Sequence, residues 1–430
     1  MCPIAEILHE KGYIITGSDN NESDTLARIR SLGIQVKMGH SKDHIGDAEM
    51  VIHTAAILPD NEELRFAQQH VPTFERAVIL GALSRIFSDC IGICGTHGKT
   101  TVTAMVTQAL IYAELDPSAV IGGKLPLTNS NGRVGKTEHF VCESCEFKDT
   151  FLKMSPDTAV ILNVDADHLE YFKTLDNIKN SFRRFASSAT RAVIYNGDDQ
   201  NTLDAIEGVE GKEMISFGRK ETNDYVAENI QFKGPFSSSF DVYHHGAFMA
   251  SVELSVPGEH NILNGLAAFV TSVYAGGDPK KVADGLKNFK GAGRRFEMLG
   301  EKNGVTYADD YAHHPAELKV TLEAAMKMGF RQVWAVFQPF TFSRTALLLD
   351  DFAEVLQIPD RCVMSEIMGS REINTYNIYT KDLAQKIPGS VWFSTFEEIA
   401  DYVTKNAQPG DLVITLGCGD IYKAAKIMLK

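Results

Sequence analysis

Apolar and polar positions follow two rhythms along this chain. Short apolar runs bounded by glycine or polar residues alternate with stretches whose apolar positions recur every three or four residues. That pattern predicts parallel strands joined by helices. Near the start, Tyr13–Thr16, Ile34–Val36 and Met50–Thr54 predict strands, and Ala5–Lys11 and Asp24–Ser31 predict helices. Cys90–Cys94 predicts a buried strand and Val102–Leu110 a helix; Phe140–Cys142, Thr158–Asn163 and Arg191–Tyr195 predict further strands. Met214–Val256 alternates polar and apolar residues with little helical period, which predicts antiparallel strands on a sheet edge. Beyond it, Val305–Ala308, Val333–Phe337, Arg361–Ser365, Val391–Phe393 and Leu412–Leu416 resume the strand–helix rhythm. The fold class expected is α/β, with domains at 1–90, 91–292 and 293–430.

The composition narrows the class. A chain of 430 residues is long enough for about three domains. Its net charge of −14 argues against a nucleic-acid or acidic-membrane surface, so an anionic ligand must be captured by local groups. No apolar run is long enough to span a membrane, and no basic segment followed by an apolar one opens the chain. The seven cysteines are scattered, mostly in apolar runs, as expected of reduced thiols in the cytoplasm. Cys142 and Cys145 make a lone CxxC with side chains expected on opposite faces of a strand, a poor basis for metal or redox chemistry.

The most chemically pointed stretch is Gly95-Thr96-His97-Gly98-Lys99-Thr100-Thr101, between the strand at Cys90–Cys94 and the following helix. Strand, glycine loop, Gly-Lys-Thr and helix make a phosphate cradle. Backbone N–H groups face the anion, Lys99 adds a point charge, and the Thr100 hydroxyl can bind Mg²⁺. Ile93 stands where the general pattern has its first glycine. Lys99 is expected on an exposed loop, serving charge and not packing.

Other clusters fall at predicted strand ends, where ligands gather in doubly wound sheets. Glu143 and Glu146 end one strand, and Asn163-Val164-Asp165-Ala166-Asp167-His168 closes another. His168 reads as an Mg²⁺ ligand or as a capping or core histidine; Mg²⁺ prefers oxygen. Pro257 to Asn264 precedes an alanine-rich helix, where His260 and Asn261 could read a base edge or cap the helix. Arg294-Arg295 reads as a phosphate fork or as a solvated pair on a linker. Asp309-Asp310-Tyr311-Ala312-His313-His314-Pro315, expected after the first strand of the last domain, reads as functional, because packing alone seldom calls for paired carboxylates and imidazoles.

Seven motifs in order, GTHGKTT, NVDADHLEYF, GEHNILN, GRRFEMLG, DDYAHHP, QPFTFSRT and LGCGDIY, make the chain resemble the Mur ligase family over its full length, and most closely the family's alanine-adding branch. The resemblance implies two Rossmann-like domains flanking a central P-loop-type ATPase domain. It implies an ATP-dependent ligase that joins L-alanine to the lactyl carboxylate of UDP-N-acetylmuramate through an acyl phosphate, acting with Mg²⁺ in the cytoplasm as a monomer or homodimer. Carried over by position, Lys99 holds the β/γ-phosphates within the loop Gly95–Thr101. Thr100 and Glu143 hold one Mg²⁺, and Glu143 with His168 a second. His260 and Asn261 lie on the adenine side, Arg295 near the γ-phosphate, Asp310 by the ribose, His313 near the reacting groups and Arg344 near the amino-acid carboxylate. Ser18, Asp19, Thr54 and Arg76 lie on the UDP-sugar side.

The chain departs from the family pattern in places. Phe182 stands where several relatives carry a carbamylated lysine, which suits the alanine-adding branch. Phe340 replaces a usual histidine, and Cys145 an acidic residue that often follows Glu143. The alternatives are a sister ligase adding another amino acid or a peptide, and a non-catalytic homologue that only binds a nucleotide or UDP-sugar. Residues 1–8 resemble the helix after the family's first strand and glycine turn. The expectation is that this form binds the UDP-sugar poorly and that the reading frame continues upstream.

Overall fold

The structure, a computed structural model, describes residues 1–234, 236–370 and 372–430. They form two compact units, Met1–Lys290 and Gly291–Lys430.

The first unit opens with α1 (Cys2–Glu10), β1 (Thr16–Asp19), α2 (Asp24–Ser31), β2 (Gln35–Met38), β3 (Val51–His53), α3 (Glu62–His70), β4 (Thr73–Glu75) and α4 (Arg76–Ser84). The strands pair as two separate parallel ribbons, β1 with β2 and β3 with β4. The first predicted strand is displaced: Tyr13 and Ile14 stand in a loop, 57% and 97% exposed, and pairing begins at Thr16. Register is set by backbone bonds to β2, which do not require apolar side chains. Ile4, Ile7 and Leu8 of α1 pack with Leu80 and Leu83 of α4 and with Val120, Phe140 and Cys142 further along the chain.

A ten-stranded sheet follows, built from β5 (Asp89–Cys94), β6 (Ser118–Leu125), β7 (Ser130–Arg133), β8 (His139–Glu143), β9 (Thr158–Ile161), β10 (Ala192–Asn196), β11 (Glu213–Gly218), β12 (Tyr225–Gly234), β13 (Ser237–His244) and β14 (Ala247–Leu254). Its order is β14-β13-β12-β11-β10-β9-β5-β8-β6-β7. From β5 the chain goes to β8 and β6 on one side and to β9 and β10 on the other, so β5 marks the switch point where a ligand crevice opens at the strands' carboxyl ends. The predicted antiparallel block is β12–β14; β11, read with it, pairs in parallel with β10.

α5 (Lys99–Tyr112) is buried along Val102–Leu110, packed on the sheet and against α9 (His260–Tyr274) and α10 (Pro279–Lys287). The polar residues in that buried span are hydrogen-bonded: Thr103 donates to Lys99 O, Thr107 to Thr103 O and Gln108 to Gly285 O. α10 approaches so closely that a Cβ at Gly285 would sit 2.8 Å from the Ala109 Cα. On the other face α6 (Leu169–Phe172), α7 (Leu175–Ser188) and α8 (Gln200–Ile206) cover the sheet. Phe182 of α7 is fully buried against Phe151 in that core.

The second unit holds a six-stranded sheet ordered β15-β16-β20-β17-β18-β19. Its strands are β15 (Glu297–Lys302), β16 (Val305–Asp310), β17 (Val333–Phe337), β18 (Arg361–Ser365), β19 (Val391–Phe393) and β20 (Leu412–Leu416), parallel except for β15. β15 precedes the strand expected to be first. It is a polar edge strand, bulged at Gly300 and solvated along much of its length, so it lacks the apolar run that marked the others. Helices α11 (Pro315–Met326), α12 (Phe342–Leu347), α13 (Leu349–Val355), α14 (Thr380–Ala384), α15 (Phe396–Asn406) and α16 (Tyr422–Leu429) complete the unit.

Candidate active site

The glycine loop leaves β5 at Gly95, whose φ of 146° and neighbours exclude a side chain: a Cβ would meet that of Leu162 at 2.9 Å. The segment after β9 ties the loop down. Thr96 N donates to Asn163 O (3.0 Å), His97 N to Asn163 Oδ1 (2.8 Å) and Asp165 N to Thr96 Oγ1 (2.8 Å). Gly98 is left-handed (φ 86°) and caps α5; a Cβ there would stand 2.6 Å from Asn264 Oδ1. Asn264 in turn donates to Asn261 Oδ1, and Asn261 donates to Pro257 O. The predicted residues His260 and Asn261 thus open the helix that reaches the loop.

Lys99 is not on an exposed loop. It is the first residue of α5, 14% exposed, and its ammonium turns back to donate to Gly95 O (2.6 Å), Thr96 O (3.1 Å) and Glu146 Oε1 (3.0 Å). Burial alone would lower its pKa, but the charge and hydrogen bond of Glu146, with smaller contributions from Cys145 and Glu143, together outweigh burial and hold the amine above its ordinary value, hence charged. Beside it, Thr100 Oγ1 donates to Glu143 Oε1 (3.1 Å), and Gly122 N donates to Glu143 Oε2 (2.7 Å). Thr101 follows in the first helical turn, whose leading N–H groups have no intrahelical acceptor.

His168, in the left-handed region (φ 53°), stands at the start of α6 with its ring 4.6 Å from that of Phe147. The carboxylates that gather with it are Glu146 and Asp167: one donor atom from each of the three lies within 4.8 Å of the others. Glu143, expected to share an ion with His168, accepts from Thr100 Oγ1 and Gly122 N. Cys145 lies past the end of β8 and is exposed, while Cys142 is buried.

At the ends of the small ribbons, Ser18 donates to both oxygens of Glu63 (2.9 Å) and meets His40 Nδ1 (3.1 Å). Asp19 accepts from Asn21 N, Thr54 accepts from Ala56 N just beyond β3, and Arg76 opens α4 directly after β4. All four predicted sugar-side residues therefore stand at carboxyl ends of strands.

In the second unit the two adjacent carboxylates divide their tasks. Asp309, 1% exposed, receives Arg294 Nε (2.8 Å) and Thr415 Oγ1 (2.6 Å). Arg294 also donates to Gly417 O and Gly419 O and lies over the rings of Tyr311 and Tyr422, so it is no solvated linker residue. Asp310 accepts from Phe296 N and Ala312 N (both 2.7 Å); burial pushes its pKa to about 6 against the opposing charge of Arg295 and these two bonds. His313 Nδ1 stands 3.0 Å from Tyr311 O and 3.1 Å from Glu317 Oε2. Burial would raise the Glu317 pKa, but the His313 hydrogen bond and charge carry it below the ordinary range. His314 caps α11. The His313 ring lies 6.5 Å from that of Phe340, and Arg344 sits on α12 close enough to lower the Cys418 pKa against burial, which pushes it up to about 12.

Comparison with known proteins agrees with this geometry. Family models match along most of the chain: "Mur ligase family, catalytic domain" over residues 1–88, "Mur ligase middle domain" over 93–272 and "Mur ligase, glutamate ligase domain" over 294–419. The chain belongs to the Mur ligase family. It is 41% identical over 437 residues to a UDP-N-acetylmuramate–L-alanine ligase of Caldanaerobacter subterraneus, covering 100% of this chain and 95% of that protein. It is 39% identical over 442 residues to the ligase of the same name from Acetivibrio thermocellus, covering 100% and 93%. The crystal structure of a UDP-N-acetylmuramate–alanine ligase from Thermotoga maritima superposes with a TM-score of 0.82 at 26% identity, covering 99% of this chain and 95% of that one. The three-domain Mur ligase architecture expected from the motifs is therefore the fold of this chain.

Four residues of this Mur ligase escaped the motif reading in the roles they take. Glu146 is the counter-charge of Lys99, Asp167 faces His168, Gly122 hydrogen-bonds Glu143, and Glu317 orients His313. For Glu146 and Asp167 the signal was their position beside already suspected residues; Gly122 and Glu317 left none that spacing alone could reveal.

Proposed function

We propose that this protein is an ATP-dependent ligase that joins L-alanine to the lactyl carboxylate of UDP-N-acetylmuramate, a cytoplasmic step toward peptidoglycan. The observation that carries the proposal is the charged Lys99 ammonium at the start of α5, flanked by the Thr100–Glu143 pair at the switch point of the sheet. Relatives of about 40% identity over the full length, which bear that enzyme's name, support the choice of substrates.

In this reading the loop N–H groups and Lys99 bind the phosphates. The lactyl carboxylate oxygen attacks the γ-phosphorus and ADP leaves. The alanine amine, having lost a proton, attacks the acyl carbon and phosphate leaves. Such transfers depend mainly on positioning and charge neutralisation. The donor set fits Mg²⁺: the Thr100 hydroxyl and Glu143 carboxylate are hard oxygens, and a buried Glu146 oxygen has no partner of its own. Mg²⁺ bound there would neutralise charge on the phosphate oxygens. His260 and Asn261 are assigned to the adenine, Arg295 to the γ-phosphate, Asp310 to the ribose side, His313 to the reacting groups and Arg344 to the amino-acid carboxylate. Ser18, Asp19, Thr54 and Arg76 are assigned to the UDP-sugar.

The test is phosphate release from ATP with UDP-N-acetylmuramate and each amino acid in turn. Release that depends on L-alanine supports the proposal. Release that depends on another amino acid or on a peptide moves the chain to a sister ligase, a reading that Phe340 favours. ATP and UDP-sugar binding without turnover would make it a non-catalytic homologue.

A further inference from the structure

α12 is short and poorly held by packing: of its six residues Thr345 alone is buried. An isolated helix needs roughly 12–15 residues to be even marginally stable in water, so the direction of α12 is set by what ties it down. One tie is its own cap, where Thr341 Oγ1 accepts from Arg344 N (3.3 Å). A second comes from residues 366–379, which join β18 to α14; β18 pairs with β17, the strand that leads into α12. Met368 N donates to Pro339 O (3.0 Å). Gly369 is left-handed (φ 73°), and a Cβ there would stand 2.8 Å from the Phe342 ring. Glu372 N donates to Gly369 O (2.9 Å), a turn that brings the Glu372 carboxylate to the start of α12. There Oε2 accepts from Ser343 N (2.8 Å) and Oε1 from Ser343 Oγ. Hydrogen bonds to an ionised acceptor are roughly twice as strong as neutral ones, and a carboxylate at the start of a helix also meets its positive end.

Arg344 is the third residue of this helix, directly after Ser343. Its charge acts on the Cys418 thiol just past β20, which places the guanidinium toward the carboxyl ends of the strands. We propose that Glu372 is a positioning residue for amino-acid binding: by gripping Ser343 at two points it fixes α12, and so holds the Arg344 guanidinium where the carboxylate of the incoming amino acid docks. Both Glu372 oxygens are engaged by Ser343, so Glu372 acts through Arg344 and does not itself take the amine. A guanidinium grips a carboxylate by two parallel bonds, and such a fork tolerates little rotation of the helix that carries it. This role rests on the assignment of Arg344 to the amino-acid carboxylate made above.

The experiment uses the full chain with ATP, UDP-N-acetylmuramate and the amino acid that the wild type prefers, and follows phosphate release. Glu372→Ala is expected to raise KM for the amino acid roughly tenfold or more, because a binding group that loses its support loses its alignment, while kcat and the KM values for ATP and UDP-sugar change less than about twofold. Glu372→Gln keeps one oxygen for Ser343 N and should raise the same KM by a smaller factor; it carries the test if the thermal midpoint shows that Glu372→Ala does not fold. The double variant separates positioning from independent binding. On an Arg344→Ala background, Glu372→Ala should lower kcat/KM for the amino acid by less than about a further twofold, because residues that act through one another are not additive. The proposal is overturned by an unchanged KM for the amino acid, by KM values that rise together for all three substrates, or by the full loss repeated on Arg344→Ala. A wild type that turns over and a Glu372→Ala that matches it overturn this proposal alone. No amino-acid-dependent release by the wild type overturns the ligase reading, and the role of Glu372 with it.

Discussion

Gly122 stands where any side chain would overlap the Glu143 carboxylate: a Cβ built on it falls 2.3 Å from Oε2, the same atom that its N–H contacts at 2.7 Å. The obstructed atoms are the mobile end of a side chain, so the Glu143 carboxylate can swing aside at little cost to the fold. Its alignment with Thr100 would be lost. Gly122→Ala is therefore expected to cut ATP-dependent phosphate release by roughly 10–100-fold, as loss of a group that orients a metal ligand usually does. The thermal midpoint should move little. Wild-type turnover at limiting Mg²⁺ would show that Glu143 needs no such alignment.

Arg294 and Asp309 pose the opposite case, a pair that holds the fold. Replacing Arg294 by Met leaves a carboxylate that is 1% exposed with Thr415 as its remaining side-chain partner. Breaking one side of a buried pair typically costs about 3–5 kcal/mol. Both tryptophans of the chain, Trp334 and Trp392, lie in the Gly291–Lys430 unit, so urea unfolding followed by tryptophan fluorescence reports on this unit. A loss below about 1 kcal/mol would place the pair among weak surface contacts.

The contrast between these pairs shows what the sequence could carry. Strands in apolar runs were legible, and Val333–Phe337, Arg361–Ser365, Val391–Phe393 and Leu412–Leu416 form as expected. β15 was not, because an edge strand needs no apolar face. Local motif order placed the Gly95–Thr101 loop and the strand ends around it. It could not separate Asp309 from Asp310, since neighbours on a strand face opposite ways and only packing shows which one meets Arg294. Nor could it place Glu146 beside both Lys99 and His168. Glu146 lies beyond the end of β8, where the chain leaves the regular alternation.

Amino-acid choice gives a further test. L-alanine is expected to be the preferred amine, with glycine or L-serine as weaker substrates, because a pocket shaped for one methyl group separates neighbours by only about 1–3 kcal/mol. Phe340, 6.5 Å from the His313 ring, replaces a histidine usual in the alanine-adding branch. Phe340→His should keep L-alanine first and alter mainly KM, measured by phosphate release at varied amino-acid concentration. Preference of the wild type for D-glutamate, L-lysine or a tripeptide would contradict the expectation.

The buried carboxyl of Asp310 makes stability depend on pH in a defined direction. Its folded pKa, about 6, lies above the unfolded value of 3.8, so between these values the folded chain holds a proton that the unfolded chain has released. The folded state binds more protons there, and stability falls as pH rises through this window and levels off above about 6. Asp310→Asn removes the titration. The stability difference between pH 4 and pH 7 should then shift by up to about 3 kcal/mol in favour of the neutral side relative to wild type. Glu317, whose pKa moves the other way, is present in both proteins and cancels from the comparison. The measurement is urea unfolding of both proteins at each pH, read by tryptophan fluorescence. The absolute stability of the variant is not the test, because an amide must set its NH₂ group against one of the two N–H donors, Phe296 or Ala312. Parallel pH profiles for wild type and Asp310→Asn would show that Asp310 is already ionised throughout this range, and that its two backbone donors and Arg295 outweigh its burial.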